Sequence, residues 1–515
     1  MPGTFYAIQL SGPRVNVAGG SIPGVPGVIV GHTDHVAWGL TLSMLDDQDL
    51  FVLTLDDSGG RELVDGRWQP LRTVTEDIMV RWQPTPVLVK IRLSVHGPLV
   101  REQRDEALAL AWTALHGSSL LPAILGMNRA ATVSDAAEAW TGVMGPSMNL
   151  LAADTSGHIL HQVVGRVPDR GTGAGRLPAP GSDSRWAWKG FRQMEDNPRR
   201  LDPGDGFLAS ANHDLFGEGD YQVRDRFDGE FAPPWRVRRI RNVLAARSDW
   251  TVEDCIELQR DVVSGRAIAV LKQIRPEFEE LGGPTVEALK SWDGRMDVES
   301  SAAALFSRLM LTLGEAVGAD EADRDGLGAS PLGPEELLRL LVGGLDERWW
   351  DDVGTVAEET RAEILKRVIE DLDGLDQPRP WGDVHRVFFD HPLASIPGVG
   401  RMASDSWSRG PFRAAGDNVT VNAHYWSRAR PFEVTTIPAM RFVTEVGNWD
   451  ETVLVLPVGQ SGRPWSAHYA DQIASWLEGG TQRFPFSRDA VEQSAVAWME
   501  LLPGKGDRAV TVGAR

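Results

Sequence analysis

A single cysteine, Cys255, stands among the 515 residues, which excludes an intramolecular disulfide. It sits in TVEDCIELQRDVV, where apolar residues recur at helical spacing, so a buried small hydrophobe suits it better than a catalytic thiol. No apolar run approaches the ~20 residues a membrane-spanning helix needs. The opening MPGTFYAIQLSG also lacks the basic-then-apolar pattern of a secretory signal. Positive charge is scarce: 52 Lys and Arg against 72 Asp and Glu leave a net charge of −20. An acidic exterior repels phosphate backbones and anionic lipid, so neither nucleic acid nor membrane is expected as a partner. Internal repeats and sustained heptads are missing too, which removes solenoids and coiled coils. A soluble chain with a soluble partner or a small substrate is the expectation that remains.

With 42% hydrophobic residues, the 56.4 kDa chain has enough apolar surface for a large core. The start already alternates, with Thr4, Tyr6, Ile8 and Leu10 against Phe5, Ala7 and Gln9, a strand pattern. Similar runs follow in HVAWGLTL, DLFVLTLDD, VLVKIRLSV, LALAWTAL and NLLAADTSGHILHQVVG, so residues 1–235 read as β-rich. A helix is expected at 131–142, and helices dominate 236–390, over 236–275, 284–318, 334–345 and 355–373. The Gly-, Pro- and acid-rich stretch 318–336 reads as a loop. Strands return in DNVTVNAHYW, AMRFVTEV and ETVLVLPVGQSG, with a C-terminal helix within 391–515. Strands at both ends with helices between predict one α+β domain over 1–515, its sheets completed by distant segments.

Chemistry is sparse. Asp46, Asp47 and Asp49 cluster in one turn and could grip Ca²⁺ if a distant carboxylate or carbonyl completed the shell; a solvated acidic turn is the plain alternative. His32, His35, His96, His158 and His161 form no HExxH or Cys/His pattern, so zinc is not expected. The Ser-centred GQSGRP lacks the second glycine of a nucleophile elbow and reads as a turn.

Taken as one block, VAGGSIPGVPGVIVGHTDHVAWGLTLSMLDDQDLF (17–51) resembles the penicillin acylase (penicillin amidase) family of N-terminal-nucleophile (Ntn) hydrolases. Its PGxPG turn, GHxxxxAWGxT and DxQDLF stand in the family's order. So do SVHGPLV (94–100), NLLAADTSGHILHQVVGRVPDR (149–170), GFLASANHD (206–214), APPWRVRRIRNVL (232–244) and LPVGQSGRPWSAHYADQIASW (456–476). Thr33 departs from the family's usual Asn, and His213 follows Asn212 where Asn is common.

The resemblance implies a four-layer αββα Ntn-hydrolase sandwich with a helical insertion, and hydrolysis of a linear amide. Candidate substrates are a β-lactam side chain, an acyl-homoserine lactone or a lipopeptide. It places MPGTFYAIQL inside the large, β-type subunit, N-terminally truncated, so that the nucleophile and a small α subunit would lie upstream of Met1 and the fragment alone would be inactive. In this class the first residue's side chain attacks while its own α-amino group, of pKa about 8, serves as base. Pro2 cannot fill that role, and Ser11 falls at an ordinary strand position. The resemblance assigns Asn212 and the Leu42 N–H as oxyanion donors, with Arg236 fixing the asparagine and the substrate. It also implies a structural Ca²⁺ on Asp46, the Gln48 carbonyl, Asp49, the carbonyl near Gly175, and Asp225, with a further ligand from the small subunit. A periplasmic or secreted location is implied likewise. The competing expectation is a non-catalytic binding module on an acylase scaffold.

Overall fold

The computed structural model describes residues 3–514 apart from 104–105, 174, 217–220, 222–227, 325–331, 375–378, 399 and 502–510; the side chains of 319–324 and 511–514 also fall outside the description. The chain gathers into two compact units, residues 8–232, and residues 233–515 together with 1–7.

The first unit is mostly strand. In chain order its main strands are β1 (Tyr6–Gly12), β2 (Val15–Ser21), β3 (Val30–Thr33), β4 (Val36–Leu42), β5 (Gln48–Thr54), β6 (Leu99–Glu102), β7 (Glu106–Trp112), β8 (Met148–Asp154), β9 (Ile159–Val164), β10 (Ala179–Pro180) and β11 (Arg199–Leu201). A seven-stranded sheet takes the order β1-β2-β3-β4-β8-β9-β11, and a four-stranded sheet the order β6-β7-β5-β10. Pairing is antiparallel from β2 through to β11.

Strand alternation gives the two faces of the larger sheet different work. Val36, Trp38, Leu150, Ala152 and Leu160 project to one side and pack with α1 (Leu121–Met127) and α2 (Val133–Glu138), burying Met127, Val133, Ala136 and Trp140. Helix α2 starts where Thr132 and Asp135 form a reciprocal capping box. The intervening residues occupy the opposite face: Thr41 stands across from Asn149, Asn149 across from Val163, and His161 two residues before Val163. Where β2 meets β3, Gly19 lies opposite Gly31, and a Cβ on Gly19 would come within 2.1 Å of the Val30 carbonyl oxygen. That close approach explains glycine in VAGG and in VGH.

The second unit carries the helices α3 (Trp235–Leu244), α4 (Val252–Gln259), α5 (Gly265–Glu280), α6 (Pro284–Lys290), α7 (Ser301–Arg324), α8 (Pro334–Leu341) and α9 (Arg361–Asp373). Leu309, Leu313, Ile364, Leu365 and Val368 are fully buried in their shared core. The helical stretch 236–275 divides into three helices, because Thr251 opens α4 with a capping box to Asp254 and Ser264 caps α5. Two expectations need correction. Helix α7 continues to Arg324, past the expected stop at 318: an internal Gly318 costs only about 1 kcal/mol, and the residues after it tolerate helix. Finally, DNVTVNAHYW is a turn until Tyr425–Ser427, because the Asp417 carboxylate accepts from the Val419 and Thr420 N–H groups at 2.8 and 2.9 Å.

Candidate active site

Two residues assigned from far apart in sequence come together at the C-terminal end of β4. Asn212 Nδ2 donates to the Leu42 carbonyl oxygen at 2.8 Å. The loop that delivers Asn212 is tied to the same strand one residue earlier, where the Ser210 and Thr41 hydroxyls lie 2.9 Å apart. Buried Ala209 and Ala211 flank Ser210, and Asn212 itself takes left-handed backbone (φ 61°), a conformation asparagine tolerates better than most residues. Its carbonyl accepts the Ala232 N–H at 2.8 Å, closing the far side of the loop. The Leu42 side chain is exposed, at the last residue of β4.

Both departures from the family pattern keep a local job. Thr33 Oγ1 accepts the His35 and Val36 N–H groups at 3.1 and 3.2 Å and donates to the Ala130 carbonyl at 3.0 Å, so a hydroxyl pins the β3–β4 turn. His213 is buried, and its Nδ1 faces the Ala211 N–H at 3.4 Å. Arg236 lies in the first turn of α3 in the other unit, its guanidinium 5.9 Å from the Tyr425 ring centroid.

The acidic turn is drawn onto Arg170. The Arg170 Nε lies 2.9 Å from Asp49 Oδ2, and Nη2 lies 3.1 Å from Asp46 Oδ2 and 3.0 Å from the Asp46 carbonyl oxygen. The Trp188 indole N–H also donates to Asp49. Burial pushes the Asp46 carboxyl up to about 6 in spite of Arg170, and burial raises Asp47 as well. At Gly175 (φ 81°) a Cβ would fall 2.4 Å from Asp46 Oδ2 and 2.7 Å from Asp49 Oδ1, so the two carboxylates converge on a cradle that only glycine leaves open. Gln48 opens β5 beside them, and Asp225 lies outside the described residues. Among the described residues no group of three or more His, Cys, Asp or Glu side chains surrounds a common point. The donors present are oxygen atoms, which suit a hard cation.

The five histidines scatter. His32 Nδ1 contacts the Thr33 carbonyl, His96 stacks on Phe51 at 4.1 Å, His158 pairs with Asp202 at 2.7 Å, and His161 lies between Tyr221 and Asn149. Cys255 is half-buried on α4, and burial pushes its thiol up, away from nucleophilic thiolate. The residues missed from sequence are Asn149 and Tyr221; the available signal was an asparagine on the buried strand NLLAAD, where an amide needs partners.

Among known proteins, the penicillin amidase family model matches residues 1–493. The chain is 30% identical to penicillin acylase 2 proenzyme of Pseudomonas sp. strain SE83, over 98% of this chain and 66% of that protein. It is 29% identical to the acyl-homoserine lactone acylase QuiP of Pseudomonas aeruginosa, over 94% of this chain and 63% of the relative. The chain thus spans just under two thirds of these relatives' length. A solved structure of thermostable penicillin G acylase from Alcaligenes faecalis superposes with a TM-score of 0.69 at 19% identity, covering 98% of this chain and 95% of that one, which shows a shared Ntn-hydrolase fold with mixed sheet and helix. The block at 17–51, the meeting of its Leu42 with Asn212 and a family match along nearly every residue lead to one conclusion: this chain belongs to the penicillin amidase family.

Proposed function

We propose that this chain supplies the oxyanion-stabilising part of an amidohydrolase that releases an acyl group from a linear amide. The observation that carries the reading is the 2.8 Å bond from Asn212 Nδ2 to the Leu42 carbonyl, which sets the asparagine amide beside the main chain of Leu42. A nucleophile attacking the amide carbon drives the C=O π electrons onto oxygen. Asn212 Nδ2–H and the Leu42 N–H then donate to that oxyanion. Collapse breaks the C–N bond, the amine departs with the proton that the nucleophile gave up on attack, and water then hydrolyses the acyl ester, its hydroxyl completing the acid and its proton returning to the nucleophile. No residue among these 515 is assigned as the nucleophile; the reading places that group, and a small partner subunit, outside them. The name proenzyme on one relative supports such processing. Relatives named as penicillin and acyl-homoserine lactone acylases support β-lactam side chains or acyl-homoserine lactones as the substrate class, and lipopeptides remain a further candidate of the same chemistry. The wider architecture is read as a four-layer αββα sandwich, and the working location as periplasmic or secreted.

We also read Asp46, the Gln48 and Gly175 carbonyls, Asp49 and Asp225 as holders of a structural Ca²⁺. The convergence of two carboxylates on Gly175 and the burial that raises Asp46 support it. The cation would neutralise charge that Arg170 alone leaves uncompensated, tying the start of β5 to the 170–176 loop.

The test is turnover of penicillin G and of an N-acyl-homoserine lactone by the complete protein. Asn212→Ala should lower kcat by about 10²–10³ with the fold retained. Full activity in that variant would sink the assignment, and absence of turnover in the unaltered protein would favour a binding module instead.

A further inference from the structure

Beneath Leu42, the polar face of the larger sheet carries a run of hydrogen bonds that the reaction above leaves unused. The Leu42 carbonyl accepts twice, from Asn212 Nδ2 at 2.8 Å and from Asn149 Nδ2 at 3.0 Å. Asn149 Nδ2 also reaches Thr41 Oγ1 at 3.3 Å, the hydroxyl that meets Ser210 on the Asn212 loop. With its amide hydrogens directed there, Asn149 turns its Oδ1 toward His161 Nε2, 3.0 Å away. An amide oxygen only accepts, so Nε2 carries the imidazole proton. In the neutral ring Nδ1 is then a lone pair, and it receives the Tyr221 hydroxyl at 2.5 Å. All three residues are buried: Asn149 is 1%, His161 0% and Tyr221 8% exposed.

We infer that Tyr221, His161 and Asn149 are positioning residues for the oxyanion donors. A carbonyl that accepts two amide hydrogens has both lone pairs engaged, so the Leu42–Ser43 peptide cannot turn without breaking a bond, and the adjoining Thr41–Leu42 peptide, which carries the Leu42 N–H, is held from that side. The Asn212 amide, anchored on the same oxygen, is held with it. Oxyanion stabilisation depends on dipoles that need no reorganisation when charge develops, and a buried, mutually polarising run of hydrogen bonds supplies that rigidity. Without the relay, Leu42 keeps its place in the sheet and Asn212 its place in the loop, but both lose their fixed orientation. The inference rests on Asn212 and Leu42 being the oxyanion donors.

The experiment is a double-mutant cycle in the complete protein, with acyl release as the readout. Tyr221→Phe deletes one hydroxyl and should lower kcat about 5–10-fold at constant KM, and His161→Phe should lower it about 10²-fold. In an Asn212→Ala background, Tyr221→Phe should cost less than about twofold, because its effect acts through the missing amide. A Tyr221→Phe effect equal in both backgrounds, or no effect in either, overturns the relay while leaving the donors assigned. Loss of no activity in Asn212→Ala overturns the donors themselves. Histidine ¹⁵N NMR gives a readout independent of turnover: His161 should be the Nε2–H tautomer and should shift on Tyr221→Phe, whereas an Nδ1–H tautomer overturns the relay.

Discussion

Asn128 shows how much one side chain can hold. It is buried at the end of α1, accepting the Val28 N–H at 2.8 Å and donating to the Val28 carbonyl at 2.7 Å, so it closes the loop before β3 as a neighbouring strand would. Asn128→Leu strands both main-chain groups of Val28 away from water and should cost about 2–4 kcal/mol, read from urea unfolding. Asn128→Asp keeps the size but cannot donate, and should recover only part of that loss. Asn212 and Leu42 were legible in sequence because each sits in a local pattern, SAN and GLTL, whose neighbours are informative. His161 drew attention only as a metal ligand, since sequence shows an imidazole but not the tyrosine and amide that claim its two nitrogens. Likewise, DDQD announced acidity, while the guanidinium between Asp46 and Asp49 arrives from a residue more than a hundred positions away.

Helix starts were readable where side chains cap them. Helix α9 begins at Thr360, whose hydroxyl accepts the Glu363 N–H while the Glu363 carboxylate accepts the Thr360 N–H. Thr360→Ala should destabilise the protein by about 1 kcal/mol without altering turnover, a difference that paired thermal and kinetic measurements would resolve. Helix ends and short strands were less legible. Alternating DNVTVN satisfies the strand pattern, yet buried Asp417 offers its carboxylate to two N–H groups that a ladder would otherwise have claimed. Asp417→Ala should therefore unlatch this turn and also remove a carboxylate 3.6 Å from buried Arg266. The expected loss is about 3–5 kcal/mol, because a buried guanidinium is left with less compensation. An unchanged unfolding midpoint would show that neighbouring Glu335, 3.5 Å from Arg266, suffices.

Buried titratable groups set an acid limit for the folded protein. Burial holds His385 at about 4 and His424 at about 3, with His385 and Arg441 pressing further on His424 and the Ala414 and Ala415 carbonyls pulling the other way. The unfolded chain takes up these protons near pH 6.5 and the folded one does not. Their contribution is thus complete above that pH and is lost as pH falls toward 4, on the order of 2 kcal/mol for each histidine between pH 7 and 5. Asp46, raised to about 6, works in the opposite sense: its penalty is present above pH 6 and relaxes as the carboxyl protonates. Unfolding midpoints between pH 7.5 and 5 should fall overall, and His385→Gln should flatten the slope; a steeper slope in that variant would exclude His385 as its source. Sequence was enough to establish the acidic charge, the α+β make-up and the family, because each is a property of composition or of contiguous motifs. The tertiary structure alone brought Leu42 to Asn212 across 170 positions and His161 to Tyr221 across 60. Such meetings depend on sheet register, where a slip of one residue moves every side chain to the other face, and no local pattern encodes which distant strand lies alongside.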